Sequence, residues 1–151
     1  MVKILMVCLG NICRSPLAHG ILESKLPLDQ FYIDSAGTAN YHIGDPPDRR
    51  SIKVAKSHGI DISQQRGQQF KTSFFDAYDL IYVMDEYNYE DVIQLARNEK
   101  DRSKVKLIME EDKSSNLKHV PDPYYGDESG FEYVFKVLNE VCDKIAMKLQ
   151  Q

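Results

Sequence analysis

KILMVCLGNICRSPLAHGILESKL, residues 3 to 26, carries three kinds of sequence in a row. Lys3 to Leu9 is an apolar run, which reads as a strand buried on both faces, as in a parallel sheet. Gly10 to Arg14 is a turn. Ser15 to Leu26 then reads as a helix: Ser15 is a candidate cap, and Pro16 suits the first helical turn. Leu17, Ile21 and Leu22 make one face, with Ala18 beside them. A strand, a tight turn and a helix in that order make the opening of an α/β unit.

The same alternation continues outward. Tyr32 to Gly37 is a second short strand, and the stretch from Tyr41 to Arg50 is broken by Gly44, Pro46 and Pro47. A helix follows near Arg50 to His58, stopped by Gly59. Tyr78–Met84 reads as a third strand, Asp85–Asn98 as helix, and Lys104–Met109 as a fourth strand. A polar loop, VPDPYYGDESG, leads into a closing helix. There Phe131, Val134, Phe135, Leu138, Val141, Cys142, Ile145 and Leu149 fall on one stripe. The expectation is an α/β fold, a parallel sheet with helices on both faces, in one domain over residues 1–151. Ligands in such sheets bind beyond the carboxyl ends of the strands, where Cys8 falls, with Ser35, Met84 and the loop after Met109 at the same edge.

Bulk properties narrow the field. The formal net charge is −4, from 19 basic and 23 acidic residues, so no nucleic-acid partner is expected. The longest basic run, Asp48-Arg49-Arg50, carries an acid with it. Three scattered cysteines suit free thiols in a reducing compartment rather than a disulfide scaffold. The apolar N-terminus lacks a signal-peptide cleavage pattern, and no run approaches a membrane span. The expectation is a cytoplasmic protein, with no membrane partner and monomer as the default state.

The opening turn carries the chemistry. Five residues separate Cys8 from Arg14, enough to wrap a loop whose backbone N–H groups form an anion nest at a helix start. The Arg14 guanidinium is a planar fork matching two oxygens of a phosphate-like anion. A cysteine at the rim of that positive field is favoured as the nucleophilic thiolate, and the Ser15 hydroxyl can donate to it. Taken alone, Cys8 is as readily a small buried hydrophobe. The glycine, arginine, serine and proline placed around it shift that balance. The glycine-rich nucleotide loop ending in Lys and Ser/Thr is absent, as is the dinucleotide pattern. A second group of interest is Asp122, held between Pro121 and Pro123. It can protonate a leaving phenolic oxygen and later take a proton from water. An ordinary surface turn is the plain alternative. Tyr124 and Tyr125 follow it, able to stack on an aromatic substrate or to pin the loop.

VCLGNICRSP near the N-terminus together with DPYYG near the C-terminus resembles the low-molecular-weight protein tyrosine phosphatases. DSAGT (Asp34–Thr38), GDPPDRR (Gly44–Arg50) and MDE (Met84–Glu86) are similar to that family too, so the resemblance covers essentially the whole chain. It implies a four-stranded parallel sheet with the phosphatase loop between the first strand and first helix. It implies phosphotyrosine protein hydrolysis through a cysteinyl-phosphate, with phosphate as product and inhibitor and with neither metal nor organic cofactor. Carried over residue by residue, Cys8 resembles the nucleophile, Arg14 the phosphate clamp, and Asp122 the general acid and then base. Leu9, Gly10, Asn11, Ile12 and Cys13 resemble the phosphate-binding loop, with Asn11 bracing it. Ser15 resembles the donor to the thiolate and Ser35 a brace to Asn11. Cys13 resembles the second loop cysteine, able to trap Cys8 as a reversible disulfide. Tyr41 and Tyr124 resemble the aromatic pocket walls, with Tyr125 and His42 nearby. Cys142 is read as helix core.

Three alternatives stay open. A phosphoarginine phosphatase is disfavoured by Ile12, since relatives with that preference carry threonine there. A thiol-dependent arsenate reductase needs two relay cysteines, and only Cys142 lies beyond the loop. A non-catalytic phosphoprotein binder would need neither Cys8 nor Asp122. The glutamine-rich segment Ser63–Phe70 departs from the family, keeping only Arg66 among its basic residues, and is expected to leave the catalytic set untouched.

Overall fold

The structure, a computed structural model, describes residues 1–151. Its elements run β1 (Val2–Cys8), α1 (Arg14–Glu23), β2 (Phe31–Gly37), α2 (Arg49–Ser57), α3 (Phe74–Ala77), β3 (Leu80–Val83), α4 (Glu86–Ile93), α5 (Glu99–Ser103), β4 (Val105–Leu107) and α6 (Glu128–Leu149). The four strands form one all-parallel sheet in the order β2-β1-β3-β4. β1 is central, which is why its sequence is apolar at successive positions rather than alternating.

Two cores follow from that placement. Ile4, Met6 and Cys8 face one core with α1, α2 and α6, while Leu5 and Val7 face the other with Phe75, Tyr78 and Val92. Helices therefore cover both faces, as expected. Cys8, the last residue of β1, ends on the α1 side at the carboxyl edge of the sheet.

Several local expectations change. α1 is buried all round, from Arg14 to Leu22 and including His19 and Gly20, rather than along one stripe. It lies between the sheet and α6, so both sides are covered. Ser15 does not cap it: Cys13 holds the cap position without a side-chain bond, and the Ser15 hydroxyl is used elsewhere. The third strand is only Leu80–Val83, because Tyr78 ends the short helix α3. The helix after it stops at Ile93, with α5 separate. Ile108 and Met109 leave the fourth strand for a 3-10 turn, Ile108–Glu111. The closing helix begins three residues before Phe131, at Glu128, with Asp127 accepting from Ser129 and Gly130 as its cap. Gly59 lies just beyond α2 at φ 81°, the left-handed position that suits a glycine stop. No helix is long and apolar enough to cross a membrane.

Candidate active site

The loop from Cys8 to Arg14 is shaped by where its carbonyls go. Cys8 O accepts from Thr38 N–H at 2.9 Å, Leu9 O from Ala39 N–H at 2.9 Å, and Ile12 O from Asp48 N–H at 2.8 Å. Cys13 O accepts from Leu17 N–H at 3.4 Å and from the Ser51 hydroxyl at 3.4 Å. With those four carbonyls tied outward, the N–H groups of Gly10, Ile12 and Cys13 have no partner within the chain. These residues line a cavity of ≈ 260 Å³. Unspent amides around a concavity make an anion nest. Asn11 supplies the turn, at φ 59°, the left-handed region where asparagine is the most tolerated side chain after glycine. Such a position costs about 1–3 kcal/mol and is kept only when its surroundings hold it. Gly37 lets the loop lie against the sheet: a Cβ there would sit 2.7 Å from Leu9 O and 3.1 Å from Asn11 N.

What holds Asn11 is a relay of hydrogen bonds. Its Oδ1 accepts from the Gln68 N–H at 3.0 Å. That fixes the amide orientation, so Nδ2 donates to Ser15 Oγ at 2.8 Å. Ser15 Oγ, accepting there, has its own hydrogen free for Cys8 Sγ, 3.0 Å away. The Asn11 N–H also reaches the sulfur, at 3.3 Å. Ser35 is not the brace: its hydroxyl meets His19 Nδ1 at 3.1 Å instead of Asn11. The brace comes from the glutamine-rich segment, which therefore does bear on this site. The Gln68 side chain is itself fixed, donating to Asp34 Oδ2 at 3.1 Å and Ser35 O at 2.9 Å.

Arg14 is 4% exposed. Its Nη1 donates to Asp85 Oδ2 at 2.8 Å and to Val120 O at 2.9 Å. Asp85 is positioned independently, capping α4 by accepting from Asn88 N–H. Asp122 Oδ2 lies 3.9 Å from Arg14 Nη2, and Asp122 Oδ1 accepts from Tyr124 N–H at 3.1 Å. The loop carrying Asp122 is tied down by Val120 N–H on Met84 O at 2.9 Å. Cys8, Arg14 and Asp122 thus line one cavity with Leu9, Gly10, Ile12 and Cys13. Tyr41, His42, Tyr124 and Tyr125 complete its wall. Cys8 is 3% exposed at the bottom, while Tyr41 is 70% and Tyr125 94% exposed. Tyr124 packs edge-on against Tyr125 with ring centroids 5.0 Å apart.

All three cysteines are free. Burial, reinforced by Asp48, Cys8 and Asp122, pushes the Cys13 thiol up to about 12, and burial, with Lys25 and Asp143 acting in opposite directions, does the same to Cys142. Cys142 sits in the α1–α6 core, its sulfur 4.0 Å from Ala18 O. Sequence reasoning missed Asp85, Val120 and Gln68. The last two act through backbone groups, which every residue carries; Asp85, in the quoted Met84–Glu86 stretch, was the one with a side-chain signal.

The low molecular weight phosphotyrosine protein phosphatase family model matches residues 3–151. A low molecular weight phosphotyrosine protein phosphatase of Saccharomyces cerevisiae is 40% identical over 144 residues, covering 89% of this chain and 87% of its own. A crystal structure of a protein tyrosine phosphatase from Entamoeba histolytica, with Hepes in its active site, matches with TM-score 0.94 at 34% identity. It covers 99% of this chain and 97% of that one. Wzb from Vibrio vulnificus, in complex with benzylphosphonate, matches with TM-score 0.87 at 32% identity, covering 97% and 98%. The chain belongs to the low molecular weight phosphotyrosine protein phosphatase family.

Proposed function

We propose that this chain hydrolyses phosphotyrosine in proteins or peptides through a cysteinyl-phosphate intermediate. The observation that carries the reading is a sulfur at the bottom of a cavity whose walls hold unpartnered amides, one guanidinium and one carboxyl. The phosphoryl group settles among the amides of residues 9–14, with its equatorial oxygens on those N–H groups and on the free edge of Arg14. Cys8 attacks phosphorus in line with the bond to the tyrosyl oxygen; the S–P bond forms as the P–O bond breaks. The Ser15 hydroxyl and the Asn11 N–H point at the sulfur and orient it for that attack. Asp122 gives its proton to the leaving phenolate. Water then attacks the cysteinyl-phosphate, Asp122 takes its proton, and inorganic phosphate leaves with the thiolate restored. The donors are fixed before substrate arrives, so little reorganisation is required.

Depth and lining support the aryl class. A buried sulfur below exposed tyrosines suits a substrate long enough to span that distance, which a phosphoserine is not. Ile12 at the wall offers apolar surface to a phenyl ring and no hydroxyl to a guanidinium, which favours phosphotyrosine over phosphoarginine. The relative solved with benzylphosphonate holds a ligand of the same aromatic type. A disulfide relay of the arsenate-reductase kind finds no support, because Cys142 is sealed in the core.

Asp122→Ala is expected to lower kcat by roughly a hundredfold or more on phenyl phosphate, the range of a lost general acid. The loss should be far smaller on p-nitrophenyl phosphate, whose leaving group needs no proton. Steady-state rates with both substrates test it, and equal losses would remove Asp122 from the role.

Thiol reactivity gives a second check. Burial keeps Cys13 and Cys142 in the unreactive thiol form at pH 7, so both should resist alkylation. Iodoacetate should add one equivalent, at Cys8, and inorganic phosphate should slow that addition. Peptide mapping by mass spectrometry reads the site; labelling spread over the three cysteines would contradict the assignment of Cys8.

A further inference from the structure

Helix α2, RRSIKVAKS, carries four cations and no acid, in a chain whose acids outnumber its bases 23 to 19. At 3.6 residues per turn, Arg49, Lys53 and Lys56 fall within an arc of about 60°. That arc is opposite the buried Ser51, Val54 and Ala55. The arrangement works against the helix twice. Like charges spaced three and four apart repel. Two arginines also occupy the first turn, at the positive end of the helix dipole, where the Asp48 cap offsets them only in part. Partners relieve only half of it: Arg50 meets Asp48 at 3.0 Å, and Lys53 meets Glu128 at 2.9 Å. Arg49 and Lys56 make no ion pair. Locally unfavourable choices left uncompensated mark functional positions more often than structural ones.

These cations line a groove of ≈ 750 Å³ in which Asp48 and Glu128 are the only acids. The groove adjoins the active-site cavity. The Asp48 N–H is bonded to Ile12 O in the phosphate loop, and the Arg50 guanidinium lies 5.6 Å from the Tyr124 ring, donating to Gly126 O. From Arg49 to Lys56 the helix rises about 10 Å, the length of about three residues of extended chain. Recruitment to an anionic bilayer draws on four to eight clustered cations, and only two here are unpaired.

Granted the phosphatase activity proposed above, we propose that this groove docks acidic residues flanking the phosphotyrosine, through Arg49 and Lys56. The chain thereby prefers substrates with two acidic side chains within about five residues of the phosphorylated tyrosine.

The test uses Cys8→Ser, which binds without turnover, and fluorescein-labelled phosphotyrosine peptides read by anisotropy. One peptide carries acids N-terminal to the phosphotyrosine, one C-terminal, and one is neutral. One acidic peptide should bind roughly three- to tenfold tighter than the neutral one, the scale of two exposed ion pairs. That gain should vanish at about 0.5 M NaCl, and in Cys8→Ser carrying Arg49→Glu and Lys56→Glu. In the otherwise unaltered chain, the double charge reversal should leave p-nitrophenyl phosphate turnover unchanged. Equal affinity for the three peptides overturns the proposal, as does a gain that survives the double reversal. Binding to phosphatidylserine vesicles that the reversal abolishes, with no peptide gain, overturns it in favour of a membrane. Failure of the phosphatase reading shows separately, as absence of p-nitrophenyl phosphate hydrolysis by the unaltered chain.

Discussion

Cys8→Ser is expected to cut hydrolysis of p-nitrophenyl phosphate by roughly 10⁴-fold or more, with phosphate still bound to within about tenfold of the unaltered chain. The two halves of that expectation have separate physical sources. In the proposed mechanism turnover needs a sulfur that bonds to phosphorus; a serine hydroxyl in the same place has no base within the loop to deprotonate it. The neighbours of Cys8 are donors, the Asn11 N–H at 3.3 Å and the Ser15 hydroxyl at 3.0 Å, and donors do not activate an alcohol. Phosphate affinity, by contrast, rests on Arg14 and on amides whose carbonyls are anchored elsewhere, and none of those bonds passes through the sulfur. Initial rates in EDTA, with phosphate binding by calorimetry and circular dichroism as a check on folding, separate the outcomes. A variant that folds, binds phosphate and does not turn over is the expected result. Substantial residual turnover would assign the nucleophile elsewhere, and loss of rate in EDTA for the unaltered chain would bring in a metal that the mechanism does not use.

Much of this site is legible in the sequence because it is local. Cys8 to Ser15 are consecutive, so the residues that meet in space are already neighbours in the chain, and a strand running into a helix fixes how the turn between them folds. Asp122 is remote, yet its flanking prolines singled it out. What escaped reading depends on tertiary contact. Ser15 reads both as a helix cap and as a donor to Cys8, and only the approach of Asn11 decides for the second. Gln68 reaches Asn11 through a backbone N–H, for which no residue type is diagnostic. The full burial of α1 follows from α6 packing across its outer side, a fact about the far end of the chain. The basic face of α2 was hidden for a different reason. Its cations are scattered along the sequence at 49, 53 and 56, and helical periodicity, not adjacency, brings them together.

Arg14→Lys is expected to lower kcat by roughly 10²–10³-fold while weakening phosphate binding by only about tenfold, even though the charge is kept. Arginine serves two directions at once here. Nη1 is spent on Asp85 and on Val120 O, which fixes the plane of the guanidinium, and the remaining edge is left for two phosphoryl oxygens. A lysine ammonium is a single point. If it stays with Asp85 it abandons the phosphate, and if it moves to the phosphate it leaves Asp85 without its partner. Asp85 does not relocate to help, because its other oxygen caps α4 through Asn88 N–H. The deficit should fall mainly on kcat, since the equatorial oxygens spread apart toward the transition state, and only a planar fork tracks two of them together. A further consequence concerns Asp122, 3.9 Å from Nη2: without the guanidinium between them, its carboxyl has no fixed neighbour on that side. The Arg14→Lys variant should therefore also lose part of the leaving-group discrimination that marks a working general acid. Steady-state rates on phenyl and p-nitrophenyl phosphate, with calorimetric phosphate affinity, read all three effects. A lysine variant retaining half the original kcat would mean that charge alone suffices and that the geometry of the fork does not matter.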